Sequence, residues 1–270
     1  MLKSGRVRGE GGLSPATVIR HFRVLLAALK HTVNMDVIKT NPADRVKTPR
    51  AKRFTPQVIT VEMANLILEQ AVGTPWLAAF CLAFYSGVRR SELCALRWTD
   101  VGIEEYCLTI DRARVAVKGG SVEGEPKSET SSRLVSLSTN IVYVLYYHRK
   151  DQQRMFEDLG ISWTEECHLF CNDQGRPYNP SSVTHAFKRI ARKAGFSDVL
   201  LHDTRHGHAT ILMDADVHLT VVQERLGHST ITITSDTYSH VLRGMDVAAA
   251  EVFERKFSDA GAQKRKSDLR

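Results

Sequence analysis

Apolar positions recur at spacings of three and four along most of this chain and alternate in only one region. In the first such run, Ile19, Phe22, Leu26, Leu29 and Val33 fall on one face, with Arg20, Arg23 and Lys30 elsewhere. That pattern predicts an amphipathic helix ending near Asn34. Ser14-Pro15 supplies its N-cap and a proline at the first helical position, and Asn41-Pro42 starts a short helical turn. One or two helices cannot bury their apolar faces alone, so this region either docks on the domain C-terminal to it or belongs to a larger helical module. Residues 1–12 are Gly- and Arg-rich and are expected to be unstructured; Lys47 to Arg53 is a basic, proline-containing linker.

From Thr60 the pattern becomes that of a fuller domain. Thr60 caps a helix through about Ala71, Thr74-Pro75 opens a very apolar helix stopped by Gly87, and Ser91 caps a further helix to about Trp98. Tyr106 to Val117 alternates as a strand and Arg133 to Leu137 as a second, with Gly119, Gly120 and Gly124 predicting a hairpin loop between them. Ser138 caps a long helix to about Leu159, closed by Gly160. Leu169 to Cys171 reads as a short strand, and Asn179-Pro180 opens a helix closed by Gly195. Helices are expected over about 203–213, 219–226, 230–240 and 246–257. The fold class is therefore mainly α with a small antiparallel β-sheet (α+β).

Composition adds little: 43% hydrophobic and 25% charged residues in a 270-residue chain describe an ordinary globular protein with a real core. Charge placement adds more. Residues 1–53 carry twelve Lys and Arg against three Asp and Glu, whereas the remainder is slightly acidic, although the whole chain is +7. A local basic excess suits a module that faces a polyanion. The five cysteines are odd in number and read as packing residues of a reduced, intracellular protein. The longest apolar run, Trp76 to Tyr85, is far too short to span a bilayer, so a cytoplasmic, nucleoid-associated protein without membrane contact is expected.

The candidate chemistry lies near the C-terminal end. His202 and Arg205, three apart, share a helix face, and an arginine fork beside an imidazole suits a phosphate. Leu226-Gly227-His228 and Thr237-Tyr238-Ser239-His240 come after them, making Tyr238 a candidate nucleophile. Arg89 and Arg90 directly behind a buried helix need a carboxylate or phosphate to meet; the plain alternative is pairing with Glu92. Gly119 to Gly124 nearly reads as a P-loop, but Glu125 stands where its lysine must be, which excludes nucleotide hydrolysis. His202 and His206 are spaced as in a zinc hydrolase. Against that reading, Asp203 replaces the glutamate and Arg205 would set a cation beside the metal. Cys167-His168 with Cys171 lacks a second half-site, so neither metal nor cofactor is expected.

Over residues 55–257 the chain resembles the tyrosine recombinases, the phage-integrase family. Ser86-Gly87-Val88-Arg89-Arg90-Ser91-Glu92-Leu93 is similar to the family's first-arginine box, and Pro126-Lys127-Ser128 to its hairpin lysine. His202-Asp203-Thr204-Arg205-His206 is similar to the His-x-x-Arg box, with Thr204 where a leucine is usual, and Leu226-Gly227-His228 with Tyr238 to the terminal box. Gly12 to Val18 through Asn41-Pro42-Ala43 resembles the last part of the helical core-binding domain, so the chain reads as N-terminally truncated relative to the family. The implied organisation is a partial core-binding domain (1–46), a linker (47–56) and a catalytic domain (57–270).

The resemblance implies a site-specific recombinase acting on double-stranded DNA, with no small-molecule substrate. Tyr238 would attack the phosphorus to give a 3′-phosphotyrosyl intermediate, Arg89 and Arg205 would neutralise phosphate charge, and Lys127 would protonate the 5′-oxygen. His202 would assist proton transfer from Tyr238 and His228 would hydrogen-bond the phosphate. Arg112 and Arg133 are expected to be structural or to contact the DNA backbone, and His206, His208 and His240 to support or pack. A homotetramer on paired DNA sites is implied, with the apolar face of 246–257 docking on a neighbour or on its own domain. The alternatives are a DNA-binding remnant without recombination activity and a type IB topoisomerase-like nicking and resealing enzyme.

Overall fold

A computed structural model describes residues 12–50, 59–124 and 132–227. The chain divides into two compact units, Met1–Thr55 and Pro56–Arg270. In the first, helix α1 spans Pro15–Asn34, and Ser14 caps it by accepting from the Thr17 amide at 3.2 Å. A 3-10 turn comes next at Pro42–Arg45. Asn41 accepts from the Ala43 amide at 2.9 Å and donates to the Leu26 carbonyl at 3.3 Å, tying the turn back to the helix. α1 has no buried residue, and Val24 and Leu25 are exposed. Its amphipathic pattern is thus satisfied only in part.

The second unit carries α2 (Val61–Glu69), α3 (Leu77–Ser86), α4 (Arg90–Leu93), α5 (Thr139–Asp158), α6 (Pro180–Lys193), α7 (Leu201–Asp214) and α8 (Leu219–Leu226). A three-stranded antiparallel sheet runs in the order β1 (Val101–Gly102), β2 (Cys107–Ile110), β5 (Arg133–Ser136), with Leu108 opposite Val135. A separate hairpin pairs β3 (Ala113–Val117) with β4 (Gly120–Gly124).

Three expectations need correcting. The helix expected from Ser91 to Trp98 is a single turn: Arg89 is its N-cap, and Leu93, Cys94, Ala95, Leu96 and Trp98 are all buried, a run of burial that no exposed helix face accommodates. The chain instead turns inward, and the Leu169 amide donates to the Leu96 carbonyl at 2.8 Å. The glycines 120 and 124, read as loop, bound a real strand, β4. Leu169 to Cys171 makes only isolated bridges on either side, Arg97 to His168 and Cys171 to Pro177. The helices expected over 230–240 and 246–257 lie outside the described residues.

α3 is almost wholly buried, from Ala78 to Ala83, because it is apolar on every side. Its Phe80 shares one core with Trp98, Leu145 and Phe187, and a smaller cluster of Ala209, Met213, Val222 and Leu226 joins α7 to α8. All five cysteines are free thiols, Cys81, Cys94 and Cys171 buried. Among the described residues no helix is long and apolar enough to cross a membrane.

Candidate active site

The apolar helix α3 ends at Gly87, whose φ of +64° is the left-handed value that glycine adopts without strain. This stop turns the chain so that Arg89 enters α4 as its N-cap. Three residues on, Glu92 folds back, its Oε2 accepting from the Arg89 amide at 2.8 Å and its Oε1 from Arg89 Nη1 at 2.7 Å. The plain alternative for Arg89, pairing with Glu92, is therefore realised, but Arg89 also donates through Nη2 to the Gly227 carbonyl at 2.7 Å. Arg90 points elsewhere, to Thr184 Oγ1 at 2.9 Å.

α7 starts one turn before the second arginine. Asp203, at its third position, accepts from the Leu200 amide at 2.8 Å and closes the first turn. Thr204, where the resemblance has a leucine, is buried, and its hydroxyl donates to the Leu201 carbonyl at 2.8 Å, so the polar group is satisfied inside its own helix. Arg205 is 2% exposed and donates from Nη1 to the Gly87 carbonyl at 2.8 Å and from Nη2 to the Leu226 carbonyl at 2.6 Å. His202 is exposed at the helix start. Packing of its ring holds its pKa below the usual imidazole value; the charges of Arg205, Arg89 and Arg90 push the same way, and Asp203 opposes them. These influences favour the neutral imidazole.

α8 ends at Gly227, φ +64°, directly before His228. Three successive carbonyls at this end each accept from an arginine of a different element. Arg133 Nε of β5 takes the Arg225 carbonyl at 2.9 Å, Arg205 of α7 takes that of Leu226, and Arg89 takes that of Gly227. The last carbonyls of a helix lack intrahelical partners and sit at the negative end of its dipole, so cations are the partners that suit them. The helix end thereby brings Arg89 and Arg205 to one place. Arg133, expected to be structural or to contact the DNA backbone, also pairs with both oxygens of Glu92, at 3.1 and 2.8 Å, a contact that no spacing between positions 92 and 133 signals.

Lys127, His228 and Tyr238 lie outside the described residues. His206 packs edge-to-face on His202 with ring centroids 4.8 Å apart. Among the described residues no group of three or more His, Cys, Asp or Glu side chains could hold a metal ion. A cavity of about 550 Å³ between Thr74–Ala78 and α5 shares no lining residue with the arginine cluster.

Residues 53–244 match the phage integrase family model, a span containing all six residues from Arg89 to Tyr238. The chain belongs to the phage integrase family. A tyrosine recombinase XerC-like protein of Caldanaerobacter subterraneus is 29% identical over 266 residues, covering 92% of this chain and 68% of its own length. The ICEBs1 integrase of Bacillus subtilis is 26% identical over 86% of this chain and 63% of its own. The chain thus spans about two thirds of the length of these curated relatives. Among solved structures, the Tn1549 transposon integrase in complex with transposon right end DNA superposes with a TM-score of 0.73 at 23% identity, covering 90% of this chain and 80% of that one. XerA recombinase gives 0.57 at 20% identity, covering 87% and 83%. At these identities the structural likeness is one of fold.

Proposed function

We propose that this chain cuts and rejoins double-stranded DNA at specific sites through a covalent tyrosyl intermediate. The observation that carries the reading is the meeting of Arg89 and Arg205, 116 positions apart in sequence, on adjacent carbonyls of the α8 end, immediately before His228. A phosphodiester resists nucleophiles because its oxygens are anionic, and two guanidinium groups held in advance offset that charge without reorganising. Tyr238 Oη attacks phosphorus, the bond to the 5′-oxygen breaks, and a 3′-phosphotyrosyl bond forms. His202, neutral and beside both arginines, takes the tyrosine proton, while Lys127 supplies one to the leaving 5′-oxygen. His228 hydrogen-bonds the phosphate. Attack by a 5′-hydroxyl of a partner strand reverses each transfer and reseals the DNA, with no net bond energy lost. Two sites aligned by a homotetramer complete the exchange, and such a protein works in the cytoplasm at the nucleoid.

The test uses duplexes with a bridging phosphorothiolate at the scissile position, offered to this chain and to Tyr238→Phe. A slow-migrating adduct on a denaturing gel from the parent only is expected. Equal adduct from both chains, or duplex retained without adduct by the parent, overturns the proposed chemistry; the second result assigns a binding protein.

A further inference from the structure

The Glu92 carboxylate, 4% exposed, is saturated by two arginines. Oε1 accepts from Arg89 Nη1 at 2.7 Å and Arg133 Nη1 at 3.1 Å; Oε2 accepts from the Arg89 amide at 2.8 Å and Arg133 Nη2 at 2.8 Å. Arg133 then uses Nε on the Arg225 carbonyl at 2.9 Å, and Arg89 uses Nη2 on Gly227 two residues later at 2.7 Å. The contacts close a ring: Arg133, Glu92, Arg89, Gly227, Arg225 and back to Arg133. Gly227 fits because it has no side chain: a Cβ there would lie 2.9 Å from Arg133 Nη1 and 3.0 Å from its Cδ. Both Arg133 and Glu92 side chains are 6% exposed, whereas that of Arg89 is 32% exposed. Of the two cations on Glu92, one is therefore sealed in and one faces outward.

We propose that Arg133 is a positioning residue that makes Arg89 available to a phosphate, by neutralising Glu92 from the buried side and pinning the α8 end at the same time. This rests on the phosphate-binding reading of Arg89 given above. With Arg133 in place, the cluster Arg89, Glu92, Arg133 carries one net positive charge, presented at its exposed member. Without it, Arg89, already on Glu92 through Nη1, is the remaining cation of the three to offset the buried carboxylate, and the cluster presents no net charge to a phosphate. In this role Arg133 acts through Arg89: it sets where Arg89 stands and what charge it shows.

The test compares the full chain with Arg133→Gln, Arg133→Lys and the double variant Arg133→Gln/Glu92→Gln. Three readouts are taken: duplex affinity, the single-turnover adduct rate at saturating phosphorothiolate duplex, and the rise in Tm in inorganic phosphate over chloride at equal ionic strength. The parent is expected to form adduct and to gain Tm in phosphate. Arg133→Gln is expected to lose that gain and to slow adduct formation about a hundredfold, as small displacements of a reacting group do, with duplex affinity within about threefold. Arg133→Lys, which keeps the charge without the fork, should fall between. The double variant, which removes the carboxylate charge, should regain part of the phosphate response. Arg133→Gln that retains the parent's rate and phosphate response per folded molecule overturns the positioning role, and a double variant no better than Arg133→Gln overturns the charge offset. A parent that shows neither adduct nor phosphate response fails the functional reading itself, and this inference with it.

Discussion

Gly87 and His208 stand so close that no side chain fits between them. A Cβ on Gly87 would lie 2.9 Å from His208 Cδ2 and 2.8 Å from Leu226 Cδ2, and φ at this position is +64°. Its carbonyl is also one of the two that Arg205 holds. Gly87→Ala therefore combines left-handed strain with overpacking, and a loss of about 2–4 kcal/mol is expected. Urea unfolding measures it; a loss below about 1 kcal/mol would mean that the helix end and α7 separate more easily than the geometry implies.

That close approach was partly legible in sequence, since a glycine after an apolar helix predicts a left-handed stop. What it packs against was not, because His208 and Leu226 lie 121 and 139 positions away and no local periodicity reaches that far. The same division holds elsewhere. Ser14, Thr60 and Asn179 cap helices as their residue types predict, each side chain accepting from an amide two or three positions on. The run from Ser91 failed because the burial of Leu93, Cys94, Ala95, Leu96 and Trp98 is a tertiary fact, and β4 failed because its two glycines mask a strand paired residue for residue with β3. In the site, the sequence marks Arg89, His202 and Arg205; that the two arginines meet on the carbonyls at the end of α8 depends only on how that helix stops.

His208 makes the domain's stability depend on pH. Arg225 Nε can only donate, and it lies 3.0 Å from His208 Nε2; the Phe84 carbonyl can only accept, and it lies 2.9 Å from Nδ1. The ring is therefore neutral with its proton on Nδ1. Burial, then the charge of Arg225, lowers its pKa to about 4 against the Phe84 bond that raises it. Because the unfolded chain binds this proton near pH 6.5 and the folded one only near 4, stability is full above 6.5 and falls as pH drops between those values. The share from this group is up to about 3 kcal/mol. His206, lowered to about 4 by burial and by the His202 and Arg205 charges, adds a loss of the same sign. In His208→Gln, urea midpoints measured from pH 7.5 to 4.5 should fall less steeply than in the parent, by about one proton's worth; parallel curves would refute the assignment.

Gln152 is a hub for the other side of the domain. Its Oε1 accepts from Trp98 Nε1 at 2.6 Å and Trp163 Nε1 at 3.0 Å, while Nε2 donates to the His168 carbonyl at 3.1 Å and Cys171 Sγ at 3.1 Å. Gln152→Leu keeps the volume and strands these buried donors and acceptors, so about 2–4 kcal/mol of stability is expected to go. None of these partners belongs to the arginine cluster. At a temperature where the variant is folded, adduct formation and the phosphate response should match the parent, and their loss would show that the two regions are coupled.

Arg89 and Arg205 share a target yet differ in what they support, and substitution should separate them. Arg205, 2% exposed, bridges the Gly87 and Leu226 carbonyls, joining the end of α3 to the end of α8. A lysine there has three donors but on a single nitrogen, without the fork whose two nitrogens each reach a carbonyl of a different element, so the buried acceptors are expected to be served less well, at a cost of about 1–3 kcal/mol. Arg89, a third exposed, can become lysine with Glu92 still ion-paired to Arg133, so the expected stability change is under about 1 kcal/mol. Both variants lose the fork that matches two phosphate oxygens, and adduct formation should fall about a hundredfold or more in each. Urea midpoints and adduct rates measured side by side decide the matter: Arg205→Lys loses stability and rate together, Arg89→Lys loses rate alone. Equal destabilisation by the two would mean that the α8 end depends as much on the exposed guanidinium as on the buried one.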